Sequence, residues 1–257
     1  MRNAWKTMSN KFFRFKQFTV WHDKCAMKTG TDGVLLGAWC PIESKSNACR
    51  ILDVGTGSGL IALMLAQRCP KARIEAIEID ADAVCQAEEN FRLSPWKERL
   101  SVQQISLQEF AKEREEQYGL VVSNPPYFVD SLKNPDQQRQ AARHTDTLSY
   151  SELVCCAAKL LRDNGMLAVI IPTEAKETIL EEAAKAGLCL ARLVHVYSKP
   201  GKPMKRILAA FEKKRFTADT DFSATGVELN SVEEFFIESE SSPRSKEYAE
   251  LTKEFYL

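Results

Sequence analysis

Between residues 50 and 212, short β-rich segments alternate with longer segments whose apolar residues recur at the helical period. Strands are predicted over Arg50–Val54, Arg73–Ile79, Leu100–Gln104, Leu120–Ser123, Met166–Ile171, Leu188–Tyr197 and Arg206–Glu212. Helices are predicted between them, over Leu60–Gln67, Ala81–Phe91, Leu107–Glu116, Ser151–Leu161 and Glu174–Lys185. Such alternation is typical of a mostly parallel sheet with helices on both faces. We therefore predict an α/β, Rossmann-like fold with a seven-stranded central sheet.

The chain divides into three segments by composition and pattern. Residues 1–49 precede the first predicted strand, residues 50–215 contain the alternation, and residues 216–257 are acidic. We expect an N-terminal extension that completes a ligand site, a catalytic domain, and a C-terminal extension packed on that domain. Asp163-Asn164-Gly165 predicts the end of a helix before a strand.

Charge is unevenly distributed along the chain, although 35 basic and 35 acidic residues cancel. The segments 1–28 and 199–215 each carry a net charge of +6, whereas residues 217–257 carry −7. This pattern excludes a uniformly basic surface but predicts local positive patches that could bind an anionic partner.

Cysteine and histidine spacing argues against a metal site. None of the eight cysteines forms a Cys-x-x-Cys pair, and His22, His144 and His195 are far apart. No apolar run reaches the roughly 18 residues of a membrane span, and basic residues interrupt the first 20 positions. We expect a cytoplasmic protein without metal, membrane segment or obligate protein partner.

A glycine-rich turn follows the first predicted strand, in the segment Asp53-Val54-Gly55-Thr56-Gly57-Ser58-Gly59. The glycine spacing fits neither a dinucleotide fingerprint nor a phosphate loop. Asp53 instead suggests a ligand that carries an ammonium group. Glu78, at the end of the next predicted strand, could accept both hydroxyls of a ribose. The pattern therefore favours a cationic nucleoside. Asp80 is interpreted as the N-cap of the helix that follows.

The segment Asn124-Pro125-Pro126-Tyr127 directly follows the fourth predicted strand. Two prolines remove backbone donors and fix the direction of the carbonyls. The Asn124 side chain and the Pro125 carbonyl could hold both hydrogens of an exocyclic amino group, and Tyr127 could stack on its ring. Positioning and electrostatics would then favour attack by the nitrogen on an electrophilic methyl group.

Together these motifs resemble the class I S-adenosylmethionine-dependent methyltransferases. Further blocks, Phe15–Phe18, Gly30–Gly33 and Tyr197–Pro200, resemble the bacterial tRNA1(Val) (adenine(37)-N6)-methyltransferase family. The resemblance covers almost the whole chain. It implies S-adenosyl-L-methionine as cofactor, tRNA as partner, and methylation of N6 on the adenine at position 37, beside the anticodon.

The resemblance also implies roles for individual residues. The cofactor would contact Asp32, Asp53, Gly55, Gly57, Glu78, Ser106 and Asn124. Catalysis would involve Asn124, Pro125 and Tyr127. Asp32 would lie near the methionine end of the cofactor, and a helix N-cap is the competing interpretation. Ser106 stands where related enzymes often have an acid facing the cofactor's adenine, so this chain departs from the pattern there.

Basic residues near these motifs are candidates for RNA contact. They are Arg139, Arg143, Lys199, Lys202, Lys205 and Arg206. We expect the loop from Lys199 to Arg206 to lie on the catalytic face. The alternatives are methylation of rRNA guanine, DNA adenine or a protein glutamine, and a non-catalytic RNA-binding module that holds the cofactor.

Overall fold

A computed structural model describes residues 10–25, 28–42, 50–115, 117–126, 148–214 and 232–257. Its strands are β1 (Phe12–Arg14), β2 (Thr19–Trp21), β3 (Arg50–Val54), β4 (Arg73–Glu78), β5 (Leu100–Gln104), β6 (Tyr118–Ser123), β7 (Leu161–Pro172), β8 (Leu188–Tyr197), β9 (Met204–Lys213) and β10 (Glu233–Phe236). Its α-helices are α1 (Thr31–Trp39), α2 (Leu60–Arg68), α3 (Ala81–Leu93), α4 (Leu107–Phe110), α5 (Tyr150–Leu160), α6 (Lys176–Lys185) and α7 (Lys246–Thr252). Short 3-10 helices cover Lys97–Arg99 and Thr173–Ala175.

The central sheet has the strand order β10-β8-β9-β7-β6-β3-β4-β5. Only β9 is antiparallel to its neighbours, β7 and β8, and the other pairs are parallel. The carboxyl ends of every strand except β9 therefore meet at one edge, called here the carboxyl edge. The α/β prediction is confirmed, with eight strands in this sheet instead of seven because β10 joins it from the acidic C-terminal segment.

Helices cover both faces of the sheet, which explains why its central strands are almost wholly apolar. In β3, Ile51 packs into the core beneath α1 and α2, and Leu52 packs into the core beneath α4, α5 and α6. Neighbouring strands divide in the same way, as Val121 and Val122 do in β6. The sheet is thus a rigid support for the loops at its carboxyl edge.

The first and last described segments pack together on one side of the domain. β1 and β2 form a two-stranded antiparallel hairpin, and the Lys16 amide donates to the Phe255 carbonyl at 2.8 Å. The Tyr256 ring packs against Phe13 and Phe15, with centroid separations of 5.7 and 5.8 Å. The C-terminal residues therefore support the N-terminal hairpin.

The Asp163-Asn164-Gly165 turn does not end a helix. Helix α5 ends at Leu160 and β7 begins at Leu161, so the turn lies within the strand range. Tyr118 pairs with Leu161 and Leu120 with Met166, so the intervening β7 residues bulge out of register. Asn164 takes the left-handed conformation (φ 59°) that such a bulge allows.

Candidate active site

The glycine-rich turn leaves the carboxyl end of β3 with three glycines in the left-handed region. Their φ angles are 69° at Gly55, 54° at Gly57 and 81° at Gly59. A Cβ at Gly55 or Gly57 would have no neighbour within 4 Å, whereas one at Gly59 would lie 2.5 Å from the Phe91 ring. The first two glycines thus leave space above the turn, and the third lets α2 approach α3.

Asp53 lies beneath this turn and is fully buried. Its Oδ2 accepts from the Thr56 hydroxyl at 2.6 Å and from the Ala62 amide at 3.1 Å. Its Oδ1 is buried without a partner among the described residues. Burial raises the pKa of the Asp53 carboxyl to about 7. Asp53 therefore braces the turn against α2, and its contact with a cofactor stays a prediction.

This buried carboxyl makes stability depend on pH. Because the pKa rises from 3.8 in the unfolded chain to about 7 in the fold, the folded state holds the proton longer across that range. The contribution of Asp53 to the free energy of unfolding should therefore fall as pH rises, by up to about 1.4 kcal/mol per pH unit. The Asp53→Asn variant should lack this fall. Denaturant titrations of both proteins across this range test it, and parallel stability curves would contradict it.

Glu78 connects the turn to the end of β4. Its Oε2 accepts from the Gly57 amide at 3.0 Å, and its Oε1 accepts from the amides of Ile79 and Asp80 at 2.8 and 3.2 Å. The Asp80 side chain accepts from the Ala83 amide at 2.9 Å, which confirms Asp80 as the N-cap of α3. The carboxylate of Glu78 is thus held in place at the carboxyl edge.

A cavity of about 390 Å³ opens at the carboxyl ends of β3, β4, β5 and β6. Its walls are Cys25, Val54, Gly55, Gly57, Ile77, Glu78, Ile79, Asp80, Ala83, Ile105, Ser106, Leu107, Gln108, Asn124, Pro126 and Leu148. Five predicted site residues are therefore in one cavity wall: Gly55, Gly57, Glu78, Ser106 and Asn124. Asp32 and Asp53 are not in that wall.

Ser106 is the N-cap of the short helix α4. Its hydroxyl accepts from the Glu109 amide at 3.2 Å and lies 3.1 Å from the Glu109 carboxylate, to which it donates. One lone pair and the proton of the hydroxyl are thus engaged locally. Its predicted contact with an adenine stays a prediction.

The apolar part of the wall was missed by the sequence reasoning. Ile79 is 51% exposed at the cavity, Ile105 lines it directly after β5, and Leu107 lines it from the start of α4. Each follows the carboxyl end of a strand, which is the signal that could have identified it. Cys25 was also missed. Burial, with the charges of Glu78 and Asp80 nearby, raises the pKa of its thiol to about 11.

Asn124 lies directly after β6, at the cavity wall. Its Oδ1 is buried and has no hydrogen-bond partner among the described residues. The preceding Ser123 hydroxyl donates to the Val54 carbonyl at 2.9 Å, which fixes the end of β6 to the end of β3. Pro125 is buried and Pro126 lines the cavity, whereas Tyr127 lies outside the described residues. The site thus offers a fixed, unused acceptor.

Asp32 lies in the first turn of α1 and forms an ion pair with Arg206. The Arg206 Nε donates to the Asp32 Oδ2 at 2.8 Å. The N-cap interpretation of Asp32 is wrong, because Gly30 is the N-cap and no side chain caps this helix. Two residues that sequence reasoning gave to different partners, cofactor and RNA, are therefore in contact with each other.

Three further basic candidates, Lys199, Lys202 and Lys205, lie at the carboxyl edge. The loop with Lys199 and Lys202 joins the carboxyl end of β8 to the start of β9, and Lys205 follows on β9. All three lysines are exposed. Because β8 is three strand spacings from β6, this loop begins about 14 Å from Asn124 across the sheet. Arg139 and Arg143 lie outside the described residues.

In the described part of the chain, no cluster of three or more histidine, cysteine, aspartate or glutamate side chains could hold a metal ion. No helix in that part is long and apolar enough to cross a membrane.

Solved structures share this fold. A predicted O-methyltransferase, Atu636 from Agrobacterium tumefaciens, matches with a TM-score of 0.63 at 17% identity, over 87% of this chain and 96% of that chain. TYW2 from Pyrococcus horikoshii, in complex with MeSAdo, matches with a TM-score of 0.56 at 14% identity, over 79% and 71% of the two chains. The family model "Methyltransferase small domain" matches residues 41–186. The fold and this match define the chain as a methyltransferase.

Relatives that share nearly the whole chain show which family of methyltransferases it belongs to. A protein of Phocaeicola vulgatus is 48% identical over 250 residues, and one of Bacteroides fragilis is 49% identical over 252 residues; each alignment covers 97% of this chain and 99% of the relative. A protein of Trichodesmium erythraeum is 43% identical, and this alignment also covers 97% of this chain and 99% of the relative. All three are named tRNA1(Val) (adenine(37)-N6)-methyltransferase. The chain belongs to this family.

Proposed function

We propose that this protein transfers a methyl group from S-adenosyl-L-methionine to N6 of adenine 37 in tRNA1(Val). The observation that carries the proposal is the buried Oδ1 of Asn124 at the wall of the cavity, which has no partner in the part of the chain that the structure describes. The relatives that share nearly the whole chain carry the name of this activity. A buried acceptor without a donor costs free energy, so its retention favours a ligand that supplies the donor.

The cavity suits the proposed cofactor. The open space above Gly55 and Gly57 would receive its amino-acid part, and the Glu78 carboxylate would accept from the ribose hydroxyls. Ile79 and Leu107 provide apolar surface for its adenine, beside Ser106. When bound, the cofactor supplies an electrophilic methyl group. In this proposal Asp53 acts through the turn that it braces, since it is not part of the cavity wall.

Asn124 and the Pro125 carbonyl would hold the target nitrogen. An exocyclic amino group is a weak nucleophile because its lone pair is delocalised into the ring. Two acceptors, one for each N–H, would favour a pyramidal nitrogen with its lone pair aimed at the methyl carbon. No general base has to act before this step, so positioning and fixed dipoles carry the rate. Tyr127 would stack on the base after it leaves its neighbours.

A transfer assay tests the proposed function directly. The protein should methylate a tRNA1(Val) transcript, and nucleoside mass spectrometry should identify N6-methyladenosine. A transcript with guanine in place of adenine 37 is the matched control and should accept no methyl group. Transfer to rRNA guanine, DNA adenine or a protein glutamine, with none to tRNA1(Val), would overturn the proposal.

The exposed lysines beside the carboxyl edge would bind tRNA phosphates. Replacing Lys199, Lys202 and Lys205 together by alanine should weaken tRNA binding and lower the slope of log K against log salt. The slope should fall by about 0.7 to 0.9 for each phosphate contact that is lost. Binding titrations at several salt concentrations measure both effects. Lys71 and Lys97 precede β4 and β5 at the opposite edge, so their alanine variants are controls that should leave the slope unchanged. An unchanged slope in the triple variant would contradict the assignment.

A further inference from the structure

The outer face of the β1–β2 hairpin carries a pair of aromatic side chains. Phe12 pairs with Trp21 across the two strands, and their ring centroids lie 4.8 Å apart at an interplanar angle of 48°. Phe12 is 40% exposed, which is unusual for a large apolar side chain in this protein. Arg14 lies on the same face, because side chains two residues apart in a strand point the same way. The face therefore combines an exposed aromatic ring with a cation.

The hairpin packs on the apolar core through its inner face, not through this outer face. Phe13, which points the other way, packs on Phe15 and Tyr256 and joins the hairpin to the apolar core. The inner face thus accounts for docking of the hairpin. Phe12 and Trp21 stabilise the hairpin as a cross-strand pair, yet this role does not require so much exposed ring.

The hairpin is fixed close to the catalytic cavity. The Trp21 amide donates to the Asn90 side chain at 2.9 Å, and the Asn90 amide group donates to the carbonyls of Trp21 and Ser58 at 2.8 Å. Ser58 belongs to the glycine-rich turn. Cys25 lies in the cavity wall only four residues after Trp21, so the chain separates these two residues by at most about 14 Å. The Trp21 end of the hairpin is therefore within about 14 Å of the cavity wall.

The charges of this face fit an anionic partner. Arg14 forms no ion pair with any described residue, and the Lys11 side chain is 69% exposed with only a 4.0 Å contact to Asp23. The described residues 10–25 carry a net charge of +3, from four basic residues and one acidic residue. Aromatic rings interleaved with basic side chains suit single-stranded nucleic acid, because bases stack on the rings while cations hold the phosphates.

We propose that an unpaired nucleotide of the tRNA anticodon loop stacks on Phe12, with Arg14 holding an adjacent phosphate. This inference rests on the proposed function and adds a contact that the catalytic motifs do not provide. RNA loops present unstacked bases for recognition of this kind. The Phe12–Trp21 face would hold the loop while the target adenine leaves its stack to reach Asn124.

Two substitutions of Phe12 separate stacking from apolar packing. Phe12→Leu keeps an apolar side chain in the hairpin but removes the π-face, whereas Phe12→Tyr keeps both. Phe12→Leu should weaken tRNA binding and raise KM for tRNA by about tenfold. Phe12→Tyr should restore both to within about twofold. The thermal midpoint, the cofactor Kd and kcat should stay near wild type in both variants. Arg14→Gln should instead lower the slope of log K against log salt by about 0.7 to 0.9, the change expected for one lost phosphate contact.

A control variant away from the hairpin is measured by the same tRNA-binding assay. Leu93 is 63% exposed at the end of α3, near the opposite edge of the sheet, so Leu93→Ser should leave tRNA binding unchanged. Wild-type tRNA binding by Phe12→Leu would overturn this inference while leaving the proposed function intact. Wild-type protein that binds tRNA but methylates none would refute the proposed function, and the Phe12 comparison would still be measured by binding. If sedimentation shows a dimer that Phe12→Leu dissociates, the face is an interface between two copies and the inference fails.

Discussion

Replacing Asn124 by alanine should lower kcat about 100- to 1000-fold, the usual loss when one preorganised polar group at the reacting centre is removed. The Oδ1 atom is buried at the cavity wall and has no partner among the described residues, so alanine removes an acceptor that is free to hold the target nitrogen. No hydrogen bond of the fold to this oxygen is lost within the described residues. We therefore expect stability and cofactor affinity to change little.

Steady-state kinetics with tRNA and calorimetric titration with S-adenosyl-L-homocysteine separate the two effects. Asn124→Asp is the matched variant, because a carboxylate keeps the acceptor at the same position, and it should retain more activity than Asn124→Ala. Removing the Ser123 hydroxyl is the control. Because this hydroxyl donates to the Val54 carbonyl, its loss should lower thermal stability more than Asn124→Ala does. If Asn124→Ala kept wild-type kcat, Asn124 would not hold the target nitrogen and the chemistry proposed for this site would be wrong.

A substitution in the glycine-rich turn should have the second large effect, on the free energy of unfolding. Gly59→Ala should lower the free energy of unfolding by about 3 kcal/mol. Of this, about 1 to 2 kcal/mol comes from the left-handed backbone, and the rest from overpacking against Phe91. For a chain of this size the thermal midpoint should fall by roughly 6 to 12 °C.

Gly57→Ala is the matched control, since its backbone is also left-handed but its Cβ would meet nothing within 4 Å. It should cost only about 1 to 2 kcal/mol. Its methyl group would instead occupy the space proposed for the cofactor, so cofactor Kd should rise more in Gly57→Ala than its small loss of stability explains. Equal destabilisation by the two variants would show that the contact with Phe91 does not control packing at Gly59.

The interior of the sheet was predictable because each strand is a short apolar segment bounded by turn residues. β3, β5 and β8 have the predicted bounds, and the glycine-rich turn lies where its motif placed it. β10 was not predicted. Its sequence, Glu-Glu-Phe-Phe, has no alternation, and pairing with β8 makes it a strand. Tertiary pairing here overrides local preference.

The candidate site was predictable where function is carried by local motifs. Glu78, Asn124 and the glycines follow strands that end at one edge, so the topology alone brings them together. The Asp32–Arg206 pair joins residues 174 positions apart, and nothing local to either residue indicates its partner. The buried state of Asp53 was equally hidden, because it depends on how closely α2 packs over the turn. Long-range pairing and burial are properties of the assembled fold.

The bond between Lys16 and Phe255 has a consequence for synthesis of the protein. The ribosome makes the hairpin well before it adds the Phe255 carbonyl and the Tyr256 ring that support it. During translation the hairpin therefore lacks its contacts with Phe255 and Tyr256 while the sheet assembles. The contacts of Phe13 and Phe15 with Tyr256 form only after residues 255 and 256 have been made, so we expect shorter nascent chains to lack this support for the hairpin.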